Sequence, residues 1–158
     1  MGSNNSGTGS KPTDRYDAGR SLISYVTEVA TRQPDAAAVL LKDRAVSYSE
    51  LIARADCYAA AFQSHGAGPG KFVGLLMSRS LDCLAGMLGA LCCGAGYVPL
   101  DPGFAGETQL AAIAQQVPFV AVLVDPQYAE IADRLIKAPL VQPLTAAQIA
   151  GPVGDHVW

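Results

Sequence analysis

The chain has 158 residues, half of them hydrophobic, enough for one core of ordinary size and too few for a second domain. A formal net charge of −3 gives it no basic surface for nucleic acid or an anionic membrane. Its four cysteines, Cys57, Cys83, Cys92 and Cys93, show neither CxxC spacing nor a neighbouring histidine; this argues against zinc and for core thiols in a reducing cytoplasm.

Residues 1–19 open on MGSNNSGTGSKPTD, which lacks the apolar centre of a signal peptide and reads as a flexible lead. Leu22, Val26, Val29 and Ala30 then recur at helical spacing, and the helix is expected to stop near Gln33-Pro34-Asp35. Residues 36–42 (AAAVLLK) and 45–48 (AVSY) predict two strands of a small hairpin around Asp43-Arg44. Ser47 and Glu50 fit a capping box, with each side chain reaching the other's backbone. The helix behind it lines up Leu51, Ala55, Tyr58, Ala59 and Phe62 and should end at His65-Gly66.

The loop AGPGK (67–71) imitates the end of a phosphate loop, but the first glycine and the hydroxyl residue after Lys71 are missing and a strand follows. That strand, FVGLLM (72–77), is continuously apolar, as a strand covered on both faces should be. Ser80 or Ser78 can cap the next helix, and Asp82 suits its positive first turn. Residues 83–100 carry no charge over a length at the lower limit for a membrane span. Their glycines, Pro99 and the lack of basic or aromatic anchors favour a buried helix, broken at Gly94 and Gly96, leading into a short strand at 97–100. Further on, residues 106–116 predict a helix, 119–124 a strand, 126–137 a helix opened by Pro126, and 139–141 a last strand. Residues 145–158 have no clear register. Strands alternating with helices indicate an α/β fold with a mostly parallel sheet and helices on both faces.

No group of residues in this pattern forms an evident catalytic, cofactor-binding or metal site. His65 reads as a helix-end residue, His156 as a surface histidine beside Asp155, and Glu50 as a cap. Asp101 follows a strand end, where open α/β sheets hold ligands, yet an aspartate fixing the Leu100-Asp101-Pro102 bend accounts for it more simply. There is no dinucleotide fingerprint, GxSxG or HExxH.

Three motifs nevertheless stand in a recognisable order: VSYSEL (46–51), VGLLMSRSLD (73–82) and LCCGAGYVPLDP (91–102). The stretch from about residue 22 to 126 resembles the N-terminal lobe of adenylate-forming enzymes, the acyl-CoA synthetase, peptide synthetase and luciferase group. It is most similar to the amino-acid-activating adenylation domains of nonribosomal peptide synthetases. The resemblance implies residues 20–144 as a partial adenylation-like domain, between the lead at 1–19 and a tail at 145–158. For the complete family domain it implies MgATP as cofactor and activation of an amino or carboxylic acid as acyl-adenylate. The product is then loaded on a carrier-protein phosphopantetheine thiol. A TSGTTG-like phosphate loop does not occur in the 158 residues, so no family catalytic residue maps onto this chain and none is expected to act alone.

Departures occur inside the likeness. Cys92 and Cys93 stand where the family usually has Lys and Ala, and Phe104, Ala105 and Gln109 replace Tyr, Pro and Arg. Glutamine cannot reproduce an arginine's five-donor fork. The expectations are a fragment or shortened adenylation domain, inactive alone and cytoplasmic, whose partners are a condensation domain, a carrier protein or the remaining adenylation part. The alternatives are a non-catalytic interaction module with an uncovered apolar face, and half of a split enzyme completed in trans.

Overall fold

A computed structural model describes residues 20–142; the expected flexible lead at 1–19 and the tail at 145–158, His156 included, lie outside the described residues. Helix α1 (Leu22–Arg32) starts where the Ser21 hydroxyl accepts from the Ser24 amide. Strands β1 (Ala37–Leu40) and β2 (Ala45–Ser47) form the expected antiparallel hairpin as a separate sheet. Helix α2 (Tyr48–Ser64) is capped by Ser47, whose hydroxyl accepts from Glu50 N at 3.1 Å. Only half of the capping box forms as expected: the Glu50 carboxylate takes two bonds from Arg44 at 2.9 and 3.0 Å. The Arg44 guanidinium at the hairpin turn, donating from Nη1 to both carboxylate oxygens, offers a charged partner that a backbone N–H cannot match.

Strand β3 (Phe72–Leu76) leads through the Ser80 cap into α3 (Leu81–Cys92). Gly94, at φ 72°, reverses the backbone into β4 (Gly96–Pro99), one residue earlier than the pattern suggests. This break limits the apolar stretch to a 12-residue helix. Among the described residues no helix is long and apolar enough to cross a membrane.

Helix α4 (Glu107–Gln116) and strand β5 (Phe119–Val124) follow as expected. The helix expected over 126–137 divides into a 3₁₀ turn (Pro126–Tyr128) and a short α5 (Ala129–Leu135). The Asp125 carbonyl accepts from Tyr128 N, three residues on, which tightens the first turn. Ile136 is already extended, as the chain turns toward β6 (Leu140–Val141).

The four strands of the second sheet are parallel in the order β4-β3-β5-β6. Side chains alternate across it. Val73, Leu75, Ala121 and Leu123 join α2 and α3 in one core, while Leu76, Leu100, Val122 and Val124 join α4 and α5 in the other. Both faces of this sheet are therefore covered, so the uncovered apolar face expected of an interaction module is not a face of this sheet. Large apolar side chains left exposed include Leu40 (80%) and Phe104 (91%).

Gly89 sets the distance between α2 and α3. A Cβ there would stand 2.8 Å from the Ala55 carbonyl oxygen and 2.9 Å from Tyr58 Cβ, so the helices touch backbone to backbone.

Candidate functional site

The connections after β3 and β5 leave on opposite faces, β3 into α3 and β5 into α5. Two adjacent parallel strands that diverge in this way open a crevice outside their carboxyl ends, where α/β sheets hold ligands. Ser78 Oγ lies there, 3.1 Å from Tyr128 Oη, and accepts from Gln127 Nε2 at 2.7 Å. The same Gln127 nitrogen donates to Asp125 Oδ2 at 2.9 Å, and Asp125 Oδ1 accepts from Gln127 N at 3.2 Å. The residues after β3 and β5 are thus tied by side chains nearly 50 positions apart.

This group connects the two strand ends. A serine nucleophile needs a base within hydrogen-bond reach. Ser78 instead meets a phenol and a carboxamide.

Asp101, the other strand-end aspartate, behaves as the turn reading expects. Its Oδ1 accepts from Gly103 N at 2.8 Å, while its carbonyl accepts from Phe104 N and Ala105 N. His65 sits at the C-terminal cap of α2, its amide bonded to the Phe62 carbonyl. Lys71 immediately precedes β3; its carbonyl accepts from Gly96 N and its amide donates to the Gly68 carbonyl, so AGPGK is spent on backbone turns. The structure brings none of His65, Glu50 and Asp101 together.

The cysteines divide between core and half-buried positions. Cys93 is buried and donates its thiol to the Ala59 and Gly89 carbonyls at 3.3 and 3.2 Å; Cys57, Cys83 and Cys92 are half-buried. Burial, then the Asp56 carboxylate and then Cys93 push the Cys92 thiol up to about 12, and burial pushes Cys93 up to about 11. Cys83 is raised by burial and by Asp101. Thiolates are the reactive form. Cys92 and Cys93 in the folded chain are therefore expected to alkylate far more slowly with iodoacetamide at pH 8.5 than in urea, read by peptide mass spectrometry. Unfolded thiols ionise first as pH rises, so stability from this source is full below about pH 9 and falls as pH climbs toward 12.

A second polar cluster, absent from the sequence reading, joins α2 to α3. Asp82 Oδ1 accepts from Arg54 Nη1 at 2.6 Å and from Tyr58 Oη at 2.7 Å. The Arg54 side chain is only 12% exposed, and its Nε is buried without a hydrogen-bond partner. The available signal was a charged Arg54 three residues beyond Leu51 and four before Tyr58, inside the apolar stripe of α2. For Ser78 and Gln127 the signal was weaker: short polar runs closing two apolar strands.

The family model described as AMP-binding enzyme matches residues 26–152. The chain belongs to the AMP-binding enzyme family. Among curated members, tyrocidine synthase 3 of Brevibacillus parabrevis is 40% identical over 90 residues, which cover 57% of this chain and 1% of that protein. Surfactin synthase subunit 3 of Bacillus subtilis (strain 168) is 38% identical over 95 residues, 60% of this chain and 8% of that subunit. Polyketide synthase PksN of Bacillus subtilis (strain 168) is 34% identical over 130 residues, 82% of this chain and 2% of that protein. The AMP-binding fold is also seen in a crystal structure of the anthranilate CoA ligase AuaEII in complex with anthranoyl-AMP. It superposes with a TM-score of 0.68 at 15% identity, over 76% of this chain and 24% of the ligase. This AMP-binding enzyme segment thus spans about a quarter of that ligase and a few per cent of the synthases.

Proposed function

We propose that the chain is the N-terminal part of a peptide-synthetase adenylation domain, acting as its structural lobe and inactive alone. The observation that carries the reading is the family match over residues 26–152, centred on the β3-α3-β4 unit that holds VGLLMSRSLD and LCCGAGYVPLDP. The complete domain would use MgATP to convert an amino or carboxylic acid to its acyl-adenylate and pass it to a carrier-protein thiol. Condensation, carrier and complementary adenylation parts of a cytoplasmic assembly line are the partners that fit this role.

The residues at the strand ends support inactivity of this part. Adenylation needs cations and N–H groups aimed at a developing pentavalent phosphorus. The carboxylates of Asp101 and Asp125 accept from N–H groups of their own turns, and Ser78 is held by Gln127 and Tyr128. These residues do not fit a triphosphate.

The test is ATP–pyrophosphate exchange with the purified 158-residue chain across the twenty amino acids. The expected result is background exchange with all of them. Substrate-dependent exchange above background overturns the reading, and exchange that appears only on adding a complementary C-terminal part would favour completion in trans.

A further inference from the structure

Strand β4 lies at one end of the parallel sheet, so among the described residues one of its edges has no neighbouring strand. Its hydrogen bonds to β3 begin at Gly96, which donates to the Lys71 carbonyl, and end with Leu100, which donates to Leu75. Backbone groups alternate along a strand, so the even-numbered residues face β3, and Tyr97 and Pro99 face the free edge. An open edge is a template for pairing with another chain. Here Tyr97 supplies one outward N–H and Pro99 none, and Pro99 is also exposed. A proline facing β3 would break the ladder; facing outward, it costs the sheet nothing.

We infer that Pro99 is an edge guard: it withholds the second outward donor and so prevents β4 from pairing with β4 of a second copy of this chain. The inference concerns assembly and does not rest on the adenylation reading. In an antiparallel self-pairing of β4, residues 97 and 99 would each exchange two bonds with the partner copy. The proline removes one bond per strand and sets its ring against the incoming backbone. The carbonyls of Tyr97 and Pro99 remain as acceptors that a like edge cannot fully satisfy.

The experiment compares the wild-type chain with Pro99→Ala and Pro99→Val by sedimentation velocity at about 100 μM, within the range where open strand edges associate. The wild type is expected to sediment as a monomer and both variants as dimers or larger species. Alanine restores the N–H without adding an apolar branch, so association of Pro99→Val alone would trace to side-chain hydrophobicity and overturn the inference. Folded, monomeric variants would overturn it too, as would a wild type that associates equally. Should the variants fail to fold, amide exchange of the wild type gives the answer. Tyr97 N–H should exchange as an open amide while Val98 N–H, facing β3, is protected; a protected Tyr97 sinks the idea.

Discussion

Replacing Gly89 by alanine is expected to destabilise the chain by about 2 kcal/mol, although alanine is the better helix former. The change gains about 1 kcal/mol of helix propensity. Against this, the new methyl meets the Ala55 carbonyl oxygen at 2.8 Å, Tyr58 Cβ at 2.9 Å and Ala59 N at 3.0 Å. Two of these atoms are backbone and the third is fixed to it, so relief requires moving α2 away from α3 and opening the core around Tyr58 and Phe62. Overpacking of this kind costs about 1–3 kcal/mol, and more when nothing can swing aside. Gly86 provides the comparison. Its added Cβ would come even closer, 2.7 Å, but to Leu123 Cδ2, the far end of a side chain. Urea midpoints should therefore fall further for Gly89→Ala than for Gly86→Ala. The reverse order would mean that the α2–α3 contact is softer than its backbone approach indicates.

The second large effect is expected at Asp82. Asp82→Ala removes an acceptor shared by the Arg54 guanidinium and the Tyr58 hydroxyl. Tyr58 is fully buried and Arg54 nearly so. Removing one member of a buried ion pair leaves an uncompensated charge, and with Asp82 still 24% exposed the loss should be about 2–4 kcal/mol. Tyr58→Phe, which deletes one hydrogen bond and keeps the ring against Phe62, should cost about 1 kcal/mol. Arg54→Leu combined with Asp82→Leu should recover part of the Asp82→Ala loss, because apolar replacement of both partners removes the desolvation cost as well. Chemical denaturation of the three proteins checks the order; a double variant less stable than Asp82→Ala would contradict it.

Much of the local structure was legible in the residues. Ser47 and Ser80 announce helix starts because a hydroxyl can satisfy an N–H that the first turn leaves free, and both do so. The stripe Leu51, Ala55, Tyr58, Ala59 and Phe62 is the buried side of α2. Residues 72–77 read as a doubly covered strand, and β3 is central. Sheet order was not legible, since nothing in β5 itself says that it pairs with β3 on the side away from β4. Nor was the crevice network, because Ser78 and Gln127 become neighbours only once that order exists. Asp101 is legible as a turn residue because its bond to Gly103 N is local, whereas Asp82, which the sequence marks as a helix-start acid, has its partners on another helix.

The strand order also has a consequence in time. β3 receives β4 on one side soon after it is made, but its other neighbour begins only at Phe119, 43 residues beyond Leu76. At a synthesis rate of about 5–20 residues per second, the apolar edge of β3 waits about 2–9 s for its partner. A nascent chain stalled between α3 and β5 would present that edge, unlike β4's, with no proline to blunt it, and it is there that a ribosome-bound chaperone would have most to protect.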